Sequence, residues 1–492
     1  MSKIKSLILG SAAGLVAIGG AQAADLPVKA KAVEYVKVCS LYGAGFFYVP
    51  GTDTCIKLGG YMRAEFNVNG ANSDAAFLNG AGGQHSLYNN ANQTRARIMM
   101  QVDTRTATEY GVVRTFASFG PQWTTGDANG SGGIRVEAAF IQFAGFTFGR
   151  SASAYALPWN AGPGGNLNSI LMGGPNYDAG VNNIQYTWQF GNGMSASLGV
   201  DEGSPSNRTG VYNGNDAMSV LGVYNDRYQG TTTAPDVVGN IRLDQAWGLI
   251  QLSAAAHQVT GGYFNSNGTT TGGTEVAGHP DDKWGFAITG ALQIKNLPTG
   301  PGDDIKLSAT YTEGALRYVL GNSGNTPQSL SLFGSGSNGA YNNIATAPIA
   351  DGVYGTGVGI GAGPLQLTKA WGLNGAFNHN WNQNWSSSVF GAYSKVDYNS
   401  VASGMICAKA GYAAAGVACN PDFNISQVGF VTRWTPVKNL TFSGEVTWTN
   451  IDSGITTPLS GVVAVGGVKP AANYSFGSQD VWSGSLRVQR NF

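Results

Sequence analysis

Charged side chains recur at every second residue in several stretches of the first third of the chain. In an extended strand, positions two apart lie on the same face, so these charges share one side while apolar residues occupy the other. Such a face cannot contact lipid hydrocarbon and must contact water. Fixed charges along a water-filled passage create a transverse field that orients dipolar solutes and filters ions. The residues that this alternation assigns to the polar face are Arg63, Glu65, Arg95, Arg97, Asp103, Arg105, Arg114, Arg135 and Glu137.

These charges allow two interpretations. Any single arginine could be ordinary solvated charge without a selective role. A row of arginines on adjacent strands could instead form one side of a pore constriction, and for Arg95 and Arg97 together we favour that second interpretation.

The same alternation continues along the chain and predicts about sixteen strands. An even number is typical of single-chain bacterial outer-membrane barrels. The predicted strands cover residues 56–68, 94–106, 110–119, 134–143, 146–150, 183–190, 194–201, 237–243, 249–257, 284–294, 305–311, 371–377, 385–393, 428–434, 440–448 and 481–492.

The last predicted strand, VWSGSLRVQRNF, has one apolar and one polar side and ends the sequence on Phe492. By itself it could be the terminal strand of a soluble β-protein. In a membrane it must pair with the first strand, because hydrocarbon cannot satisfy an open sheet edge.

The connections between these strands alternate between short and long. The asymmetry is typical of an outer-membrane barrel, which has short periplasmic turns and long extracellular loops. Tryptophan and tyrosine cluster at strand ends, as expected for girdles at the two membrane interfaces. The fold class is therefore predicted to be all-β: a transmembrane antiparallel β-barrel of about 16 strands.

The first 23 residues have the order of a secretory signal peptide. Lys3 and Lys5 precede an apolar run over residues 7–18, and the small-residue sequence AQA occupies residues 21–23. The run is shorter than the roughly 20 apolar residues of a spanning helix, which disfavours a membrane anchor. We expect cleavage after Ala23, an N-terminal periplasmic segment over residues 24–54 and a barrel over residues 55–492.

The composition fits this organisation. Charged residues make up 11% of the chain, against about 25% in typical soluble domains. The 28 basic and 28 acidic residues cancel, so charge gives no reason to expect nucleic acid as a partner.

The four cysteines form two local pairs in the sequence, Cys39 with Cys55 and Cys407 with Cys419. In an exported chain, local disulfides are the default. A metal site is the alternative, but neither pair has the short spacing or adjacent histidines of a zinc site.

Four segments together resemble the alphaproteobacterial general porins, outer-membrane trimeric porins of the Brucella and rhizobial type. They are the first 30 residues, VKVCSLYGAGFFYVPGTDTCIKLGGYMRAEF at residues 36–66, the hairpin FIQFAGFTFGR at residues 140–150, and the terminal LRVQRNF. The long loops are the least similar part. The resemblance implies a sixteen-stranded homotrimer whose third long loop folds into the lumen and narrows it.

In this chain that loop covers approximately residues 151–182 and contains a single acidic residue, Asp178. Similar porins usually place acidic groups on this loop, opposite basic residues of the wall. One acid argues against strong cation selectivity. The resemblance also implies lipopolysaccharide and outer-membrane lipid around the barrel, and recognition of the C-terminal strand by the barrel-assembly machinery, with Phe492 as the assembly signal.

The predicted function is passive diffusion of ions and small hydrophilic solutes across the outer membrane, without cofactor or metal. A solute-specific channel and a barrel-anchored adhesin are the alternatives. An outer-membrane enzyme is not expected, because no nucleophile motif accompanies the histidines. Three of these, His85, His257 and His279, are expected to be solvated loop residues.

Overall fold

The computed structural model describes residues 37–69, 92–125, 132–159, 162–167, 171–175, 179–203, 209–214, 234–264, 278–321, 329–334, 342–357, 360–409, 418–458 and 474–492. The predicted signal peptide lies outside these residues. Sixteen long strands form one sheet: β1 (Thr54–Val68), β2 (Asn92–Thr108), β3 (Gly111–Thr124), β4 (Gly133–Phe143), β5 (Phe146–Ser151), β6 (Val181–Gly191), β7 (Met194–Asp201), β8 (Asp236–Gln245), β9 (Gly248–Val259), β10 (Lys283–Lys295), β11 (Asp304–Glu313), β12 (Lys369–Asn380), β13 (Trp385–Asp397), β14 (Phe423–Val437), β15 (Leu440–Ser453) and β16 (Gln479–Asn491).

The sheet closes on itself. Each strand pairs antiparallel with the next, and β16 pairs antiparallel with β1 in a register that sets Arg487 opposite Glu65. The backbone N–H of Phe492 donates to the carbonyl of Gly60 at 3.0 Å, so the terminal residue extends the seam. Each of the sixteen strands therefore has a hydrogen-bonded neighbour on both sides, which is what a lipid environment requires. The predicted barrel and its sixteen strands are confirmed.

The two faces of the barrel differ as the alternation predicts. Large apolar side chains on the outer face are exposed, as at Leu58, Met62 and Phe66 on β1. Their neighbours on the inner face, Glu65 and Asn67, are buried. The apolar outer face therefore suits contact with lipid, and the polar inner face surrounds the lumen.

One strand departs from simple alternation. A bulge between β3 and β4 pairs Ser118 with Ala138 and Phe119 with Val136, so that Glu137 is the extra residue. Beyond the bulge, Phe140 turns inward and packs against Phe116, with ring centroids 5.4 Å apart. Strict alternation over the predicted strand 134–143 would place Phe140 on the apolar face with Val136, and this is wrong because a bulge reverses the phase of every residue after it.

Tight turns join strands at the short-loop end. Ala144 and Gly145 connect β4 to β5 with φ angles of 50° and 88°, the left-handed pair that a two-residue hairpin requires. Lys438 and Asn439 similarly join β14 to β15, where Val437 pairs with Leu440. The short connections were predicted at these positions.

The turn between β10 and β11 is held by a buried carboxylate, Asp303. It accepts hydrogen bonds from the Thr299 hydroxyl at 2.6 Å and the backbone N–H of Asn380 at 2.8 Å, and it lies 2.6 Å from Nδ1 of His379. Burial raises the pKa of this carboxyl, but the hydrogen bonds outweigh burial and hold the pKa below its ordinary value of 3.8. The ionised form therefore stabilises this turn.

At the opposite end the long loops contain structure of their own. Their described elements are α1 (Arg317–Leu320), α2 (Ser400–Lys409) and the short strands Val211–Asn213, Ser329–Gly334, Asn343–Pro348, Gly352–Gly357, Ile360–Leu367, Thr457–Pro458 and Ser475–Phe476. Buried apolar residues such as Leu320, Ile349 and Met405 join these elements to the ends of β12 to β16 in one core. A loop-built apolar core was not predicted from the sequence.

Both predicted disulfides are present. Cys39 and Cys55 have Cα atoms 6.1 Å apart and enclose a 3-10 helix, Ser40–Tyr42, and a short strand, Phe47–Tyr48. Cys407 and Cys419 have Cα atoms 5.8 Å apart. Among the residues that the structure describes, no helix is long and apolar enough to cross a bilayer.

Candidate pore constriction

The third loop, residues 152–180 between β5 and β6, folds into the barrel and follows the inner face. Its first part contacts β8 to β10. The Tyr155 hydroxyl lies 2.7 Å from the Thr289 hydroxyl, and the Gln251 amide donates to the Ala156 carbonyl at 2.9 Å. Tyr155 is fully buried. These contacts fix the start of the loop against the inner face of the barrel.

The middle of the third loop is held through its backbone carbonyls. Arg433 of β14 donates to the carbonyls of Gly164 and Gly165, and Arg487 of β16 donates to the Leu167 carbonyl at 2.8 Å. In the other direction, the Leu167 N–H donates to the Glu445 carboxylate at 2.5 Å. Because charged side chains of the barrel bind backbone groups, the loop needs no charge of its own here.

The last part of the loop crosses β12 in direct backbone contact. Gly173 has φ +94°, and a Cβ atom added to it would lie 2.2 Å from the Leu373 carbonyl oxygen. A Cβ on Gly372 would lie 2.6 Å from the Gly173 Cα. Only glycine fits on either side of this crossing, since any side chain would force the two backbones apart.

A second connection also folds inward. This long loop, residues 314–368 between β11 and β12, places α1 beside the third loop. The Gly173 N–H donates to the Val319 carbonyl at 2.8 Å, and the rings of Tyr155 and Tyr318 have centroids 4.3 Å apart. Contacts of the two loops with the inner face extend from Asn240 of β8 to Arg487 of β16.

The long loop is anchored at His257 of β9. Its Nδ1 lies 2.7 Å from Asp236 of β8, and its Nε2 lies 3.5 Å from Asp351 of the long loop. The second oxygen of Asp236 accepts the Tyr318 hydroxyl at 2.8 Å, and the second oxygen of Asp351 accepts the Leu316 N–H at 2.6 Å. An imidazole can donate to a carboxylate at each nitrogen only in its protonated form.

His257 was predicted to be a solvated loop residue, and that prediction was wrong. Its side chain is buried and faces inward from a strand. The sequence places His257 in phase with inward residues of β9, but it cannot show that two carboxylates come from elsewhere. His279 is exposed, and His85 lies outside the described residues.

Beside the third loop, which Arg487 contacts, charged residues of β1, β2, β4 and β16 form what we call the charged cluster. Its first centre is Glu65, which accepts hydrogen bonds from Nε of Arg95 and Nε of Arg487, both at 2.5 Å. Arg63 lies 4.0 Å from the same carboxylate. Three guanidinium groups thus surround one carboxylate.

The second centre of the charged cluster is Glu137, at the bulge. Arg97 and Arg135 lie 3.2 Å and 3.5 Å from its carboxylate, and the Tyr61 hydroxyl donates to it at 3.2 Å. The side chains differ in solvent contact: Arg97 is 3% exposed, whereas Arg135 is 18% and Glu137 is 24% exposed. A partly exposed carboxylate at the bulge thus lies between two arginines.

A separate group lies nearer the short-turn end. Asp103 forms ion pairs with Arg105 at 3.2 Å and Arg114 at 2.9 Å. The Arg114 guanidinium also lies 5.3 Å from the centroid of the Phe116 ring and 5.5 Å from that of Phe140. Aromatic faces stabilise a cation at such distances.

Comparison with known proteins was made with this geometry in hand. A family model described as the Porin subfamily matches residues 25–485. The chain belongs to this porin family. Family membership places it in the bacterial outer membrane, as predicted.

Individual relatives of this chain are also porins. Porin Omp2b of Brucella suis is 34% identical over 258 residues, which are 50% of this chain and 64% of that protein. Porin Omp2b of Brucella abortus is 35% identical over 258 residues, again 50% of this chain and 64% of that protein. The matches thus span less than two thirds of the curated relatives' length. An outer membrane channel of Acinetobacter baumannii, DcaP, superposes with a TM-score of 0.59 over 90% of this chain and 99% of its own, at 13% identity, which is a likeness of fold alone.

The barrel brings nine of the predicted charged residues into two groups, the charged cluster and the group around Asp103. Asp178 lies outside the described residues, so its position stays a prediction. The sequence interpretation placed Arg487 on the polar side of the last strand without assigning it to the pore, and it missed Arg433, Lys306 and Glu445, which hold the third loop. Each of them occupies an inward position of its strand, so alternation carried to the later strands would have found them.

Proposed function

We propose that this porin forms a water-filled channel for passive diffusion of ions and small hydrophilic solutes. The observation that carries the proposal is a closed barrel, polar inside, whose third loop is held along the inner face and ends beside a cluster of charged side chains. Such an arrangement narrows a pore without sealing it, and it places fixed charge where solutes must pass. Movement would follow concentration gradients and involve no turnover chemistry.

The proposed path runs beside the charged cluster. Arg63 and Arg135 are 16% and 18% exposed and would contact solutes directly. Arg95 and Arg97 are each 3% exposed and would instead hold Glu65 and Glu137 in place. The residues proposed to line the path or support it are Arg63, Glu65, Arg95, Arg97, Asp103, Arg105, Arg114, Arg135, Glu137 and, on the third loop, Asp178.

A homotrimer is part of the proposal. An apolar groove on the outer face of β1 and β14 to β16, lined by Phe66, Trp434, Phe442 and Leu486, offers a surface for another subunit or for lipid. Lipopolysaccharide would contact the remaining outer face. The Phe492 ring is 56% exposed, as a signal for the barrel-assembly machinery would need to be.

The N-terminal organisation is also proposed. Cleavage of a signal peptide after Ala23 would release the mature porin into the periplasm, where the disulfide between Cys39 and Cys55 could form before membrane insertion. Mass spectrometry of the porin purified from outer membranes would test the cleavage site, since an N-terminus other than Ala24 would refute it.

One observation favours a second candidate, a solute-specific channel. The long loop contributes α1 to the lumen beside the third loop, so the passage is shaped by two loops rather than one. A general porin would show similar permeation rates for neutral solutes of equal size. A solute-specific channel would discriminate among them and would be blocked by its own ligand.

The deciding experiment is single-channel recording of the refolded porin in a planar bilayer. We expect stepwise openings in groups of three whose conductance scales with bulk salt conductivity. The same protein unfolded by heat is the control for detergent artefacts. No conductance from verifiably folded protein would refute the channel, and single openings without grouping would refute the trimer.

A further inference from the structure

We propose that the constriction of this porin prefers anions, in particular small carboxylates and phosphates. This inference rests on the proposed channel function and assigns the charge class of its solutes. The observation that carries it is an excess of guanidinium groups over carboxylates along the inner faces of β1 to β4 and β16.

The excess can be counted from the ion pairs. Arg63, Arg95 and Arg487 share the single carboxylate of Glu65. Arg97 and Arg135 share that of Glu137. Nearer the short turns, two further arginines share that of Asp103. Seven guanidinium groups thus face three carboxylates, and arginine stays protonated at every relevant pH.

The third loop does not cancel this charge. Within residues 152–159, 162–167, 171–175 and 179–180, the described parts of the third loop, no side chain is charged. The whole loop contains one acid, Asp178. Where barrel cations reach the loop, as Arg433 and Lys306 do, they bind its backbone carbonyls, and Lys306 also pairs with Asp304 of β11 at 3.4 Å. The described third loop therefore supplies no carboxylate that offsets the arginine excess of β1 to β4 and β16.

Within the charged cluster, two arginines keep enough solvent contact to meet a solute. Arg135 and Arg63 are the cluster's more exposed arginines, at 18% and 16%, whereas the buried Arg95 and Arg97 are occupied by their carboxylates. A guanidinium offers parallel N–H donors that match the two oxygens of a carboxylate or phosphate. A passing anion can bind there and leave, because the site stays partly hydrated.

The test is the reversal potential of the full mature porin in a planar bilayer under a potassium chloride gradient, repeated with potassium phosphate. We expect chloride to be about three- to tenfold more permeant than potassium at 0.1 M salt, falling below about twofold at 1 M, because the Debye length shrinks from about 10 Å to 3 Å. The double variant Arg63→Gln with Arg135→Gln is expected to abolish most of the preference.

The matched control is Arg490→Gln. Arg490 is exposed on the outer face of β16 and donates to the Lys438 carbonyl. The substitution Arg490→Gln therefore removes a positive charge outside the lumen and should leave the ion selectivity unchanged. Should the double variant fail to fold, Glu137→Gln decides, since loss of a carboxylate in the cluster must raise the anion preference.

The outcomes separate the two proposals. A channel that conducts but prefers potassium, or shows no preference, overturns the anion assignment and leaves the diffusion function standing. An unchanged preference in the double variant, or in Glu137→Gln, overturns the role of the charged cluster. Folded protein without conductance overturns the channel itself and, with it, this inference.

Discussion

Glu65 is the residue on which the packing of the charged cluster depends most, and Glu65→Gln tests this. The carboxylate is 2% exposed and accepts two charge-assisted hydrogen bonds, from Arg95 and Arg487. Glutamine keeps one amide oxygen, so one hydrogen bond can survive while the other and the negative charge are lost. Hydrogen bonds to charged groups contribute about 1.5–3 kcal/mol each, and breaking a buried ion pair costs about 3–5 kcal/mol. We expect a loss of about 3 kcal/mol in the free energy of unfolding.

The assay is urea unfolding of the refolded porin in lipid vesicles, followed by the fluorescence of the lipid-facing tryptophans. The matched control is Glu109→Gln, which makes the same chemical change in an exposed turn between β2 and β3. We expect the control to change the free energy of unfolding by less than about 0.5 kcal/mol.

A double variant with Arg487→Gln checks the cause. If the loss comes from repulsion among arginines that no longer have their carboxylate, removing one arginine should restore part of the stability. The free energy of unfolding should then fall less in the double variant than the sum of the falls in the two single variants. A loss below about 1 kcal/mol for Glu65→Gln, or strict additivity in the double variant, would refute the reasoning.

Three further predictions follow from single contacts. Gly173→Ala places a Cβ atom 2.2 Å from the Leu373 carbonyl oxygen and should lower the free energy of unfolding by about 1–3 kcal/mol. The control is Gly191→Ala, where φ is +85° and a Cβ atom would have no atom within 4 Å, and its free energy of unfolding should fall less in the same assay. Asp351→Asn breaks the buried anchor of the long loop and should give faster proteolysis of that loop and a larger single-channel conductance; unchanged values of both would contradict the anchor. Because the pKa of Asp303 is lowered in the folded porin, its stabilisation is complete above the ordinary value of about 3.8 and disappears as the pH falls through the lower folded value. Asp303→Asn should therefore be less stable than the native porin at pH 6, and the difference should shrink below pH 3 in thermal unfolding.

Most of the barrel could be predicted because each strand carries its own evidence. Lipid on one side and water on the other impose alternation on every strand independently, so the sixteen strands and the closing pair of β1 with β16 follow from local patterns. The same rule failed after Glu137, where one extra residue reversed the phase. A bulge leaves no mark in the alternation of its own strand until the partner strand is known.

The candidate constriction was predicted only in part. Arg63, Arg95 and Arg97 could be assigned to the inner face from their spacing alone, since this depends on one strand at a time. Their sharing of carboxylates could not, because Glu65 meets Arg487 across more than 400 residues of sequence.

The sequence by itself determined the closed barrel, the direction of its two faces, the short and long connections and both disulfides, because each depends on residues that are neighbours along the chain or on a repeating pattern. The tertiary structure alone decided which side of the lumen the third loop covers, how the long loop is anchored at His257, and which arginines keep solvent contact. Those features arise where segments distant in the sequence meet through hydrogen bonds and buried contacts, and no local pattern specifies such a meeting.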